Sequence, residues 1–380
     1  KELNHAPGAE FIYSNTNYNL FAVLVQRLSG MSLADFTNKF IFQPAGMNHT
    51  QWRSNFKKVV PNRAIAYSLS SAGFETDMPN EYVYGNGGLL TTAEDLVKWN
   101  EYYTAGKLGS PSLLPKQITT AILNNGNSIS YAAGLYISKY KGWQAYTHDG
   151  ATAGYRSQLE FWPELGLSIA FLSNTSQFDT SSMNVAELVA DIFINDKSAP
   201  AVKPAANLKT IPVESFSNKT GWYKDTRNGG SQKIFIRDGK IYSAPNNLLK
   251  PVNENMLQAG NNTLLFESGF AKQLKFITSG KDTFIFIRVD SALITPVKLQ
   301  EYIGNYYSEE AEALYQVKVK NDKLIIHMDP ASDRTLTPTY NDGFSSGGNL
   351  IYFERDKKNK VTTMRISSGR VRNLAFRRTD

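Results

Sequence analysis

An internal repeat constrains this chain more than any other feature. Gly221-Trp222-Tyr223 lines up with Gly304-Asn305-Tyr306, Asp238-Gly239-Lys240-Ile241 with Asn321-Asp322-Lys323-Leu324, Leu249-Lys250-Pro251 with Leu336-Thr337-Pro338, and Phe266-Glu267 with Phe353-Glu354. Each copy is a run of short apolar stretches split by turn residues, which predicts strands joined by tight turns. Residues 213–290 and 297–380 are therefore expected to be two copies of one all-β module, each a small closed barrel or sandwich. Before them, Asp196 to Pro212 is rich in Ala, Pro and Lys without periodicity and reads as a linker.

Residues 1–195 have a different texture. Ser14 or Asn15 can cap a helix whose apolar positions are Leu20, Phe21, Val23, Leu24 and Leu28 and which Gly30 ends. Ser32 and Asp35 open a second helix, expected to stop before Pro44. Met47 to Tyr84 reads as loops with short strands. Thr92 and Asp95 form another capping box, with Leu96, Val97 and Trp99 as the expected buried side, and a further helix is predicted near Pro115 to Leu123. After Gly134 the period switches to two. A strand carries His148, a turn of small residues follows, and two apolar strands meet at Pro163-Glu164-Leu165-Gly166. Met183 to Ile194 returns to helical spacing and is expected to pack on that sheet. The reading is an α+β domain, helices around an antiparallel sheet, followed by two small all-β barrel modules.

Composition excludes several function classes. The 380 residues carry 41 Lys and Arg against 34 Asp and Glu, and a net +7 over this length is too mild for a nucleic-acid footprint. The densest basic stretch, Arg355 to Arg378, alternates with apolar residues and reads as the solvated face of late strands, with an anionic cell-envelope partner as the alternative. With no cysteine, thiol catalysis, thiolate metal sites and disulfides are out. Histidines 5, 49, 148 and 327 are dispersed with no His-Glu-x-x-His, so neither metal nor cofactor is expected. The apolar runs Leu20 to Val25 and Leu167 to Leu172 fall short of the roughly 20 residues of a membrane-spanning helix.

Two short motifs carry chemistry only in context. Tyr13-Ser14-Asn15 is weak alone in a chain with 20 tyrosines, and Tyr84-Gly85-Asn86 is a second match. His148-Asp149-Gly150 is a rarer pattern, yet a strand histidine with a satisfied hydrogen bond also fits it. In order, Pro7-Gly8 leading through Tyr13-Ser14-Asn15 into an apolar helix, the Gly-Gly-Leu-Leu-Thr-Thr helix start, and His148-Asp149-Gly150 with Gly154-Tyr155-Arg156-Ser157 resemble the serine β-lactamase and penicillin-binding family. The similarity is to its class C-like branch, which includes D,D-carboxypeptidases, esterases and D-aminopeptidases. It covers about Lys1 to Ile194, and the paired β-modules look like the two C-terminal barrels of D-aminopeptidase-type members.

The resemblance implies roles. Tyr13 would take and return the nucleophile's proton, and Asn15 would orient the substrate carbonyl. A tyrosine normally titrates near 10, so that role needs a cation, which His148 would supply where many relatives have Lys. Gly150 would let a substrate strand lie against the sheet edge, and the Ala151 N–H would be one of two oxyanion donors, each worth roughly 3 to 4 kcal/mol in acyl transfer. Arg156 is a candidate carboxylate clamp or a surface charge. Gly87 and Gly88 are expected to shape a turn.

The chain also departs from the family pattern. The nucleophile and its partner come from Ser-x-x-Lys at a helix start upstream of the tyrosine motif, and here Tyr13 stands close to the beginning. Ser54-Asn55-Phe56-Lys57 and Ser138-Lys139-Tyr140-Lys141 fit the spacing but lie downstream, outside any expected buried helix start. The expectation is a serine acyl-transfer hydrolase truncated at its N-terminus, periplasmic or secreted, with no signal peptide in these residues. Its substrate would be a small molecule or peptide, peptidoglycan-derived peptides among the candidates. Histidine at 148 and Asp149 where threonine is common favour a peptidase, esterase or amidase over a dedicated β-lactamase. The alternatives are a non-catalytic binder of envelope peptide or glycan, and ligand binding by lipocalin-like β-modules.

Overall fold

In the computed structural model, which describes residues 3–178, 184–195, 211–267, 272–278, 282–328 and 333–379, the first helix begins where capping chemistry puts it. Helix α1 spans Asn15–Ser29. The Ser14 hydroxyl accepts from the Asn17 N–H at 3.4 Å, and Gly30 ends the helix at φ 72°. Its apolar stripe is uncovered among the described residues, with Leu20 59% and Leu28 80% exposed. Helix α2 spans Leu33–Thr37, but the helical path does not stop before Pro44 as predicted. A π-turn over Asn38–Phe42 leads into α3, Gln43–Ala45, where Pro44 occupies a first-turn position that needs no N–H.

Strands β1 (Gln51–Trp52), β2 (Tyr67–Ser70), β3 (Gly73–Thr76) and β4 (Leu89–Leu90) are short, as expected. Helix α4, Ala93–Thr104, starts at the predicted Thr92 cap, but its buried residues are Asp95, Asn100 and Tyr103 rather than Leu96, Val97 and Trp99. The reason is a polar anchor: the Asp95 carboxylate accepts from the His49 N–H at 2.7 Å, the Thr50 hydroxyl at 2.9 Å and Lys98 Nζ at 3.0 Å. Helix α5, Leu113–Gln117, is shorter than predicted, because Ile122 pairs with Ser128 in a bridge.

The central sheet is antiparallel in the order β5-β6-β7-β8, comprising Tyr136–Tyr140, Trp143–Thr152, Tyr155–Trp162 and Leu167–Ser173. On one face α4 is tied to β8 by Asn100 Nδ2 donating to Ser168 Oγ at 2.6 Å. On the other lies α6, Val185–Ala190, capped by Asn184, with Ala190 in one cluster with Ala145, Trp162 and Ile194. Glu160 is fully buried on that second face beside Asn184, and burial pushes its carboxyl up to about 7. Most of the expected linker, residues 196–210, lies outside the described residues.

The repeat is legible in three dimensions. Strands β9 (Gly221–Asp225), β10 (Ser231–Arg237), β11 (Lys240–Ala244), β12 (Asn247–Asn253), β13 (Met256–Ala259), β14 (Asn262–Phe266), β15 (Gln273–Ile277) and β16 (Thr283–Val289) close a barrel. After helix α7 (Pro296–Gln300) come β17 (Gly304–Ser308), β18 (Ala313–Lys320), β19 (Lys323–His327), β20 (Arg334–Thr335), β21 (Thr337–Pro338), β22 (Gly343–Ser346), β23 (Asn349–Arg355), β24 (Val361–Ser367) and β25 (Leu374–Arg378). Together β17–β25 form a nearly closed nine-stranded sheet that is broken only at Leu336, between β20 and β21. Tyr223 and Tyr306 hold equivalent places: each is fully buried, and each hydroxyl donates at 2.8 Å to the carbonyl four residues earlier, Lys219 and Tyr302. Side chains such as Phe216, Ile234, Leu257 and Leu274 fill the first barrel, which tells against the lipocalin-like alternative.

By contacts, Lys1–Ile12 groups with Pro204–Asp380, while Tyr13–Lys203 forms the other compact unit. Specific bonds explain this. Asn4 Nδ2 donates to the Arg370 carbonyl at 2.9 Å, and the Glu10 carboxylate receives both Arg372 nitrogens at 2.9 and 2.7 Å and Arg227 at 3.0 Å. The basic C-terminal stretch is therefore not simply a solvated face: Arg355 pairs with Asp342 and Glu301, Arg365 with Glu354, and Arg372 with Glu10.

The Arg372 hydrogen bonds, with the charges of Arg372 and Arg227, hold the Glu10 carboxyl below the usual carboxylate range against the opposing effect of burial. A lowered value in the folded state means that the clamp is fully formed above the ordinary carboxylate range and is lost as pH falls through the folded value. Protection of residues 3–12 from hydrogen exchange, taken relative to the intrinsic exchange rate at each pH, is expected to fall on such acidification. Glu10→Gln should lower that protection already at neutral pH, at a cost of about 2 kcal/mol, and remove most of its pH dependence; unchanged protection in the variant would contradict the clamp.

Candidate active site

Strand β5 begins at Tyr136, opposite Thr147, so from His148 to Thr152 strand β6 is paired only with β7 among the described residues. No strand among the described residues pairs with its other edge, and an edge of this kind can accept an added strand. Alternation puts His148 and Gly150 on one face, opposite Leu159 and Ser157, and puts Asp149 and Ala151 on the other, opposite Gln158 and Arg156. A side chain at Gly150 would press on the Ser157 hydroxyl, which can rotate away. Arg156 thus belongs to the face away from His148. Its guanidinium donates to the carbonyls of Ala153 at 2.9 Å and Tyr155 at 2.7 Å, which ties it to the β6–β7 turn.

Tyr13, just before the Ser14 cap, meets His148 with ring centroids 6.0 Å apart and planes at 47°. Asn15 follows as the first residue of α1. The fold therefore brings Tyr13 to the His148 strand, keeps Gly150 and Ala151 on the same open edge, and turns Arg156 away. The second Tyr-x-Asn match has a packing explanation. Asn86 N–H donates to Asn19 Oδ1 at 3.1 Å, and Gly85, at φ 128°, lies so close to α1 that a Cβ would sit 2.8 Å from the Tyr18 carbonyl oxygen.

Sequence reading missed three tyrosines. Tyr131, only 8% exposed, places its hydroxyl 3.2 Å from His148 Nε2 and its ring 6.0 Å from Tyr13 in an edge-on contact. Tyr18 reaches the Tyr131 hydroxyl at 3.4 Å, and Tyr136 packs edge-on against Tyr131 at 4.7 Å. Burial, followed by the Tyr18 hydrogen bond, raises the Tyr131 hydroxyl far above the ordinary tyrosine value. The one local signal was Gly134, at φ 84°, whose missing Cβ leaves room for the Tyr18 hydroxyl, 3.3 Å from where that Cβ would stand. Of the two downstream Ser-x-x-Lys matches, Ser54 lies in a bend, and Ser138 lies in β5 with Lys141 paired to Asp191 at 2.7 Å.

Tyr13 thus stands just before a helix start and faces a histidine on the neighbouring strand. The chain belongs to the β-lactamase family of serine hydrolases, whose family model matches residues 1–192. It is 26% identical over 256 residues to Penicillin-binding protein 4* of Bacillus subtilis (strain 168), covering 62% of this chain and 55% of that protein. To a D-aminopeptidase of Brucella anthropi it is 22% identical over 407 residues, covering 100% of this chain and 72% of the relative. Among solved structures, the octameric penicillin-binding protein homologue from Pyrococcus abyssi aligns with 86% of this chain and 65% of its own, at 20% identity and a TM-score of 0.44. Among the described residues no helix is long and apolar enough to cross a membrane.

Proposed function

We propose that the protein is a serine acyl-transfer hydrolase acting on amide or ester bonds, a peptidase, esterase or amidase rather than a dedicated β-lactamase. The observation that carries this is the approach of Tyr13 to His148, at 6.0 Å between centroids, beside the open edge of β6. In the proposed cycle a serine from a Ser-x-x-Lys motif outside these 380 residues attacks the carbonyl carbon as its proton passes to the Tyr13 oxygen. Tyr13 returns that proton to the leaving amine or alkoxide. Asn15 orients the carbonyl group and the Ala151 N–H faces the developing oxyanion. Water then repeats the sequence on the acyl-serine.

The D-aminopeptidase match runs through both barrels, whereas the match to Penicillin-binding protein 4* covers 62% of the chain. This favours small peptide amides as substrates, peptidoglycan-derived peptides among them, and a periplasmic or extracellular location. The alternative is a non-catalytic binder of envelope peptide or glycan, favoured by the lack of a Ser-x-x-Lys at a helix start among the described residues.

The coding sequence upstream of Lys1 tests the nucleophile directly. The full-length protein, incubated with a fluorophosphonate or a reactive β-lactam, is expected to gain the mass of one adduct. Folded protein that gains none with either reagent supports the binding reading.

A further inference from the structure

We propose that Tyr131, backed by Tyr18, sets the charge on His148 and is thereby a positioning residue for Tyr13. Its catalytic meaning rests on the hydrolase reading, but its principal test does not. Both ring nitrogens of His148 are engaged. Nδ1 lies 2.6 Å from the Asp149 backbone carbonyl oxygen, an acceptor without a proton to give, so Nδ1 carries hydrogen and donates. Nε2 lies 3.2 Å from the Tyr131 hydroxyl, which can donate or accept.

That hydroxyl has two settings. Facing a neutral imidazole, it donates to Nε2. Facing an imidazolium, it accepts the Nε2 hydrogen and turns its own toward the Tyr18 oxygen, 3.4 Å away. The second arrangement holds a charge-assisted bond, the stronger kind. Tyr131 keeps its proton throughout, because its buried site disfavours the phenolate. With Nδ1 and Nε2 both occupied, His148 has no N–H left for Tyr13 or for substrate. It acts on Tyr13 by charge alone, across the 6.0 Å between their rings. Among the described residues, the titratable groups around the imidazole are Tyr13 at the start of α1, Tyr131 before β5, Tyr136 in β5, and Asp149 on the opposite face of β6, with Tyr18 reaching it through Tyr131.

The test is 15N NMR of the imidazoles in the full-length protein across pH, with His148→Ala identifying the His148 signals. Wild-type His148, once neutral, is expected to carry its hydrogen on Nδ1. Tyr131→Phe removes the acceptor that the cation needs, so the His148 transition should move to lower pH by about one unit, a tenfold change in the protonation equilibrium. The basic limb of the kcat/KM profile should move the same way. A purely structural role would lower the melting temperature and leave both pH transitions in place.

An unmoved transition in folded Tyr131→Phe overturns the proposal, and so does a neutral tautomer protonated on Nε2. If Tyr131→Phe does not fold, Tyr18→Phe decides: a smaller displacement in the same direction supports the chain of bonds, and no displacement overturns it. A displaced transition in a protein that forms no acyl adduct would leave the charge-setting role standing and count against the hydrolase reading alone.

Discussion

Tyr13→Phe in the full-length protein is expected to lower kcat/KM by about 10²- to 10⁴-fold, the range over which positioned acid–base groups act, with little change in melting temperature. The substitution isolates the hydroxyl. Phenylalanine keeps the ring that faces His148 and Tyr131 at 6.0 Å each, and it leaves the Ser14 cap of α1 untouched. Amide substrates should lose more than esters with good leaving groups, because an amine departs only after it is protonated. Steady-state kinetics on a matched amide and ester, with calorimetry on the same preparation, check both statements. A loss smaller than threefold on the amide would remove Tyr13 as the proton carrier.

The largest stability effect is expected at Gly154. It follows Ala153, held at φ 47°, in the turn between β6 and β7. A Cβ there would stand 2.6 Å from both the backbone nitrogen and the backbone oxygen of Tyr67. Those atoms cannot swing aside: the Tyr67 N–H donates to the Asn174 carbonyl at 2.9 Å, and the Tyr67 carbonyl accepts from the Ser176 N–H at 3.0 Å. Gly154→Ala should therefore cost about 3 kcal/mol through overpacking, read as a lower melting temperature for the Tyr13–Lys203 unit. Gly150→Ala is the informative contrast. Its methyl meets only the rotatable Ser157 hydroxyl, so it should fold nearly as well as wild type while obstructing the open edge of β6. Equal stability of the two variants would refute the argument from Tyr67.

Much of this was legible in the residues. Helix starts at Ser14, Ser32 and Thr92 could be read because capping is local: a side-chain oxygen finds an N–H two or three residues away, and neither partner depends on the rest of the fold. The barrels could be read because a repeated pattern of strands and turns is written twice. The meeting of Tyr13 with His148 was reachable only through resemblance, since no local rule joins residues so far apart in the chain.

What the sequence by itself determined is the order of elements, the paired barrels and the family of the site. Tertiary structure alone decided that Glu10 is clamped by Arg227 and Arg372, that Asp95 rather than Leu96 is buried, and that Arg156 faces away from His148. It also decided that Tyr131 stands on Nε2 of His148. Arg156 is placed by alternation along β7 and by carbonyls one and three residues away, while the other three share one physical reason. Burial of a polar or charged group costs free energy unless a particular partner meets it, and those partners come from segments far away in the chain. Periodicity can say that a residue faces inward, but only the folded chain says which donor or acceptor waits for it there.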